Sequence, residues 1–350
     1  MAQLEDSLGQ TQDRTDVASL LSEVCNVLDC ARYAPLLCRS MRLNIIRRPP
    51  HFGRSVFLAT VADALDVLSP HPRKERWPSS VALVRRRPHF NFNAGVILHL
   101  DMGRLTYETY EDLEAQMASL LRDAIVQFMD KYQVYLKITE EERLDVLGED
   151  PMFDPLYSMM RLAICAEPDV FTYICIDNYT APYERARHSE DWPQITEILD
   201  RALFHNLRAL VAADFIHSGI LIGSSEMDGD PMALLTYCKE VDEWGNDIFG
   251  PGDAPTPIPF VGALMDYAAD RTHDSGMQAA VGVSQEGIMA LGRAVLGDEA
   301  RAVALWERVS EVPSHSFRDC QDAERVWATG DVLEILRDMA GTRMTKEGAH

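Results

Sequence analysis

The stretch LNIIRRPPHFGRSVFL, from Leu43 to Leu58, constrains this chain more than any other, because it demands two abrupt changes of backbone within a few residues. Leu43, Ile45 and Ile46 read as a short buried strand. Pro49 and Pro50 can continue neither a central sheet ladder nor a helix interior, so the chain must turn there. Near Gly53 a helix begins that carries Val56, Phe57 and Leu58 inward. A strand, an irregular turn and a helix, with Gly53, Arg54 and Ser55 at the bend, point the free N–H groups of a helix N-terminus into the turn. Those groups and the helix dipole hold anions, phosphate above all. A basic side chain adds charge, and a Ser hydroxyl can reach Mg²⁺. Taken alone, the same residues also suit a corner whose basic side chains face solvent.

Further apolar runs suggest the rest of a sheet. Phe171 to Ile176, FTYICI, is nearly continuous and closed by Asp177, as expected of an inner strand covered on both faces. A strand end that delivers Asp beside a phosphate loop is how such a carboxylate reaches magnesium, usually through water. Capping of the turn toward Pro182 is the alternative. Gly95 to Leu100 is closed in the same way by Asp101, and there a turn cap is the favoured reading. Phe215 to Ile222 forms another strand, ending at Gly223, Ser224 and Ser225. Thr109 to Leu136 is the clearest helix, with Thr109 and Asp112 at capping spacing and Leu113, Met117, Leu120, Leu121, Ala124, Ile125, Phe128 and Tyr132 on one core-facing stripe. Helical periods also run from Val17 to Leu28, from Val56 to Leu68 before Pro70, from Ile195 to Leu210, from Ser284 to Val295, and from Val332 to Met339. Residues 1–16 read as a disordered tail, 69–93 as a proline-bearing surface excursion, 138–168 as an acidic helix and loop that leads into Met159, Met160 and Leu162, and 245–258 as a Gly/Pro-rich junction.

Composition excludes several function classes. Lys plus Arg number 33 against 55 Asp plus Glu, a formal charge of −22, so a broad nucleic-acid footprint is not expected. Arg85 to Arg87 read as a solvated edge. Seven scattered cysteines show no CxxC pair and imply a reducing compartment, with Cys165 and Cys175 as small core residues. No apolar run approaches the length of a membrane span, and the N-terminus lacks a leader pattern, so a soluble intracellular protein, cytoplasmic or nuclear, is expected. His99, His205 and His217 lie in apolar contexts and read as core histidines. No HExxH motif or nucleophile elbow competes for the function.

RRPPHFGRSVFL resembles the RPRRFGKS loop of the AAA-ATPase-like family, a P-loop family often linked to a PD-(D/E)XK nuclease-like domain. FTYICIDNYTAPYERA resembles that family's Walker B region, an apolar strand followed by DEYDAP. HLDMG is similar to its VIxLDFS strand end, the Gly223 to Ser225 strand end to its ITG, and VGVSQEGIMALG to its GFTxxEV segment; the resemblance runs from about Tyr33 to Met339. It implies an α/β P-loop NTPase-like fold, a mostly parallel sheet flanked by helices, with a core over 17–250 and a mainly helical part over 251–345. It implies ATP and Mg²⁺ as ligands, with Arg48, Gly53, Arg54, Ser55 and Ser224 at the nucleotide and Ser55 and Asp177 at the metal. No Glu-x-Lys pair occurs in the sequence, so the nuclease-like domain is not expected.

Two departures bear on chemistry. Arg54 stands where the family has Lys, and a planar guanidinium does not reproduce a compact ammonium. Asn178 stands where the family has an acid, and an amide cannot accept the proton of an attacking water. One such loss is worth about 10²- to 10⁴-fold in rate. The expected function is a divergent AAA-ATPase-like protein that binds ATP and Mg²⁺ weakly and hydrolyses ATP poorly or not at all. The alternatives are a nucleotide-free pseudo-ATPase serving as a protein-interaction module, and a slow ATPase that uses Arg54 and another acid such as Asp101.

Overall fold

A computed structural model describes residues 30–38, 43–69, 92–148, 155–186, 189, 191–225, 267–272, 277, 280–316 and 325–347. The tail 1–16, the Val17 to Leu28 helical period, most of the 69–93 excursion including Arg85 to Arg87, and the 245–258 junction lie outside the described residues. In chain order the main elements are α1 (Ala34–Leu37), β1 (Leu43–Arg48), α2 (Arg54–Leu65), β2 (Gly95–Asp101), α3 (Tyr110–Leu136), α4 (Glu140–Leu147), α5 (Pro155–Ala166) and β3 (Phe171–Asp177). They continue with α6 (Ala181–Ala186), α7 (Trp192–Leu199), α8 (His205–Ala212), β4 (Ser218–Ser224), β5 (Ala268–Asp270), β6 (Val283–Ser284), α9 (Gln285–Leu291), α10 (Glu299–Ser310), β7 (Val326–Trp327) and α11 (Thr329–Glu347). Single π-helical turns, Asp200–Phe204 and Gly292–Leu296, join α7 to α8 and extend α9.

Five strands form a parallel sheet in the order β2-β3-β4-β1-β5. Helices cover both faces, which explains why the strands read as almost unbroken apolar runs: β1 and β4 are buried at every position. On one face Ile46, Ile97, Tyr173, Cys175, Ile220 and Ile222 pack against Phe57, Leu58, Val61 and Leu65 of α2. On the other, Ile45, Leu98, Ile174, Ile176 and Leu221 meet α3, α5 and the α7–α8 segment through residues such as Phe128, Met159 and Leu203. Because side chains alternate along each strand, Arg48, Ser224, Asp177 and Asp101 all emerge on the α2 face at the carboxyl ends of their strands, where open α/β sheets receive ligands. A smaller core of Val283, Ile288, Leu291, Leu305, Val309 and Leu336 holds α9, α10 and α11 together beside the antiparallel β6–β7 pair.

Caps follow the sequence pattern at α3, where Thr109 accepts from the Asp112 N–H, and at α4, where Thr139 and Glu142 close a reciprocal capping box. Of the α3 stripe, Leu120 and Leu121 are only partly buried, while Met129 and Leu136 join the core. Other boundaries differ from the sequence reading. The helix after the loop stops at Leu65, before the prolines, because Asp66 turns extended and bridges Gly95 at the start of β2. The last long strand begins at Ser218, since the Phe215 and Ile216 N–H groups both return to Leu210 O and close α8. Cys165 is exposed, not core, because it falls on the outer face of α5; Cys175 is fully buried. His205 is exposed on α8, and His217 is half-buried with its ring 4.4 Å from that of Phe171. Among the described residues no helix is long and apolar enough to cross a membrane.

Edge strand β2 has one buried N–H met by a side chain: Ile97 N donates to the Tyr132 hydroxyl at 3.0 Å. Tyr132→Phe removes that acceptor without changing the ring packing against Phe128. Its expected effect is a loss of about 1–3 kcal/mol of unfolding free energy, measured from the urea midpoint.

Candidate functional site

The loop between β1 and α2 is shaped by Gly53. Its φ of +76° lies in the left-handed region, and it serves as the N-cap of α2. A Cβ there would also lie 2.6 Å from Thr329 Oγ1, so both conformation and space require glycine. Phe57 N donates to Gly53 O at 2.9 Å, closing the first helical turn. The N–H groups of Arg54, Ser55 and Val56 precede that bond and have no intrahelical acceptor, the arrangement that receives phosphate oxygens.

Arg54 and Ser55, opening α2, meet Asp177 at the end of β3. The Ser55 side chain and the Arg54 charge both favour the charged form of the Asp177 carboxylate. Asp177 is 5 % exposed. Burial pushes its pKa up; the Ser55 hydrogen bond opposes that, Asp101 adds to it, and His99 and Arg54 pull it back down. Asn178 follows in a left-handed conformation, φ +52°. Its backbone N donates to Asp177 Oδ1 at 2.9 Å and its side-chain Nδ2 to Asp101 Oδ1 at 3.1 Å, so one residue joins two carboxylates. Asp101 and Asp177 are register partners on adjacent strands.

Asp101 is also a turn cap, accepting the Gly103 N–H at 3.0 Å; the capping role and the place beside Asp177 coexist. His99, read from sequence as a core histidine, instead keeps an exposed surface on the same sheet face as both carboxylates. The protein around it desolvates the imidazolium and lowers its pKa, while Asp177 and Asp101 pull the other way.

Two other sequence candidates have structural work. Arg48 is fully buried, and its guanidinium donates to Arg47 O, Thr272 O and Met277 O at 2.8, 2.8 and 3.0 Å. Burial draws its pKa down to about 10, against the pull of Asp270 and Tyr33. Its donors brace the segment beyond β5 rather than forming the cradle around Gly53. Ser224 is 3 % exposed, and its backbone N donates to Thr180 Oγ1 at 2.8 Å. Thr180 and Tyr179 press on Gly223, where a Cβ would lie 2.6 Å from Thr180 Cγ2. Thr180, which replaces an acid of the family string, thus ties the turn after β3 to the end of β4.

Sequence reasoning missed the outer support of the loop. Gly330 N donates to His51 O and Thr329 Oγ1 to Phe52 O, each at 2.8 Å. The Phe52 ring meets His315 edge-on at 5.0 Å between centroids. These contacts come from the start of α11 and the segment before β7, and no local pattern advertises them.

The donor set fits nucleotide and magnesium. A hydroxyl and a carboxylate are hard oxygen ligands, and Mg²⁺ uses one or two such groups together with substrate phosphates rather than a dedicated cage. Among the described residues no group of three or more His, Cys, Asp or Glu gathers as a metal cage. Gly53, Arg54, Ser55 and Asp177 are the residues that would hold the two ligands, which together supply a polarised terminal phosphate.

Holding Asp177 charged has a cost. A pKa raised by folding means that the native state binds the proton more tightly. The side chain's contribution is therefore most favourable below its unfolded value of ~3.9 and declines as pH rises through the folded value. Asp177→Asn is expected to raise the melting temperature of the ligand-free protein near neutral pH, with little gain in acid. Melts across the acid-to-neutral range test this, and an equal gain at both ends would contradict it.

A family model described as a predicted AAA-ATPase matches residues 15–230, more than half of the chain. No curated protein and no solved structure matches it. The match spans the loop at Gly53, the strand end at Asp177 and four of the five parallel strands, and the chain belongs to the AAA-ATPase-like family.

Proposed function

We propose that this protein binds ATP with Mg²⁺ at the Gly53–Ser55 loop, with low affinity, and hydrolyses it slowly or not at all. The observation that carries the reading is the place of Ser55 beside Asp177, whose charged form its hydroxyl favours. It brings the first turn of the loop helix to the carboxylate at the end of β3, across the intervening β4, and a hydrated Mg²⁺ is held between two such groups. The raised pKa of Asp177 supports the same reading: a buried carboxylate kept beside a cationic side chain suits a cation more than it suits stability.

Weak binding follows from Arg54. Its longer, planar guanidinium does not reproduce the compact point charge that a lysine would present to the β- and γ-phosphates. Poor hydrolysis follows from Asn178, whose amide is committed to Asp101 and carries no base. The second reading, a nucleotide-free interaction module, draws on the bracing of Arg48 by three carbonyls, which marks the loop region as a rigid structural element.

Calorimetric titration with Mg-ATP separates the two. Saturable heat, a higher melting temperature with nucleotide, and loss of both in Ser55→Ala and Asp177→Ala are expected. Folded protein, free of co-purified nucleotide, that gives only the heat of dilution would reverse the choice.

A further inference from the structure

We infer that Asp101 is the carboxylate that orients the attacking water, in place of the acid missing at residue 178, and that Asn178 positions it. The inference rests on the proposed ATP site. Asp101 and Asp177 close adjacent parallel strands in register and on one face. The Asp177 carboxylate accepts the Asn178 N–H and lies beside Ser55 and Arg54, which favour its charged form. Asp101 Oδ1 is fixed by Gly103 N at 3.0 Å and Asn178 Nδ2 at 3.1 Å. Its other oxygen, Oδ2, lies 3.8 Å from Arg104 Nε, and the Asp101 side chain keeps 24 % of its surface accessible. One oxygen is therefore pinned while the other is engaged by the long pair with the exposed Arg104, on a side chain that stays partly accessible beside the candidate metal-binding carboxylate, the arrangement a water-orienting base needs.

The amide at 178 then has a physical reason. An amide donates to Asp101 and fixes the direction of its second oxygen. The water oxygen bonds to the terminal phosphorus of ATP, and the bond from that phosphorus to the bridging oxygen breaks. ADP departs with the electron pair, and the water proton passes to Asp101 and on to the released inorganic phosphate.

The test measures ATP affinity by calorimetry and phosphate release in a single turnover, on the full chain. The wild type is expected to bind ATP and release phosphate slowly. Asp101→Asn, which keeps an oxygen for the Gly103 cap, should bind ATP with the wild-type Kd and lose about 10²- to 10⁴-fold in rate. The exchanged pair, Asp101→Asn with Asn178→Asp, should turn over faster than Asp101→Asn alone, a rescue that a purely structural role does not give. If Asp101→Asn does not fold, Asp101→Ser, which also retains a capping oxygen, takes its place. Three results overturn the inference: wild type that binds ATP without turnover, Asp101→Asn as fast as wild type, or an exchanged pair no faster than the single variant. Wild type that binds no ATP overturns the proposed site itself.

Discussion

Burial of both faces of the parallel sheet governs where chemistry can occur in this chain. Apart from His99 on edge strand β2, the described strands offer water little beyond their ends, and their side chains alternate between two packed layers. A charged group in mid-strand would have to be desolvated, so the polar residues of consequence fall at the carboxyl ends. Arg47 shows the cost of the exception. Beside the sheet edge it is 5 % exposed, and it is tolerated through a 2.5 Å pair with Asp270 on β5. Arg48 is deeper still, and its terminal guanidinium nitrogens donate to three backbone carbonyls. The two arginines beside the loop thus join β1 to β5 and to the segment after it, which fixes the strand from which the loop springs.

That division explains what could be read from the linear chain. Leu43 to Arg48, Gly95 to Asp101 and Phe171 to Asp177 were legible because burial on two faces writes an unmistakable apolar run. Thr109 and the stripe of α3 were legible because a cap and a 3.6-residue period are local properties. The Gly53–Ser55 loop and Asp177 were legible as types for the same reason. Their meeting was not, because contact between Ser55 and Asp177 depends on the strand order and on β4 lying between β1 and β3.

Other features left no local trace. Phe215 and Ile216 are apolar and β-branched or aromatic, so they look like strand, yet they serve as the cap of α8. His99 looks like core because Leu98 and Leu100 flank it, but it projects to the opposite face, where the layer is open. A single alternation separates these two fates, and only the covering helices decide which face is closed. Thr329 and Gly330 are more remote still. Their bonds to the carbonyls of Phe52 and His51 link the loop to a helix that lies beyond the segment matching the family.

These long-range contacts change how the loop should be understood. A left-handed His51, φ +66°, and a left-handed Gly53, φ +76°, are strained conformations that a free loop would relax. Here the carbonyls of residues 51 and 52 are held from outside by α11, and the Phe52 ring is enclosed by His315 and the backbone at Gly282. The side of the loop that would face phosphate is thereby left with N–H groups and few competing acceptors. The shape of the loop is set by the C-terminal helical unit as well as by its own residues, because bonds from Thr329 and Gly330 hold its backbone from elsewhere in the fold.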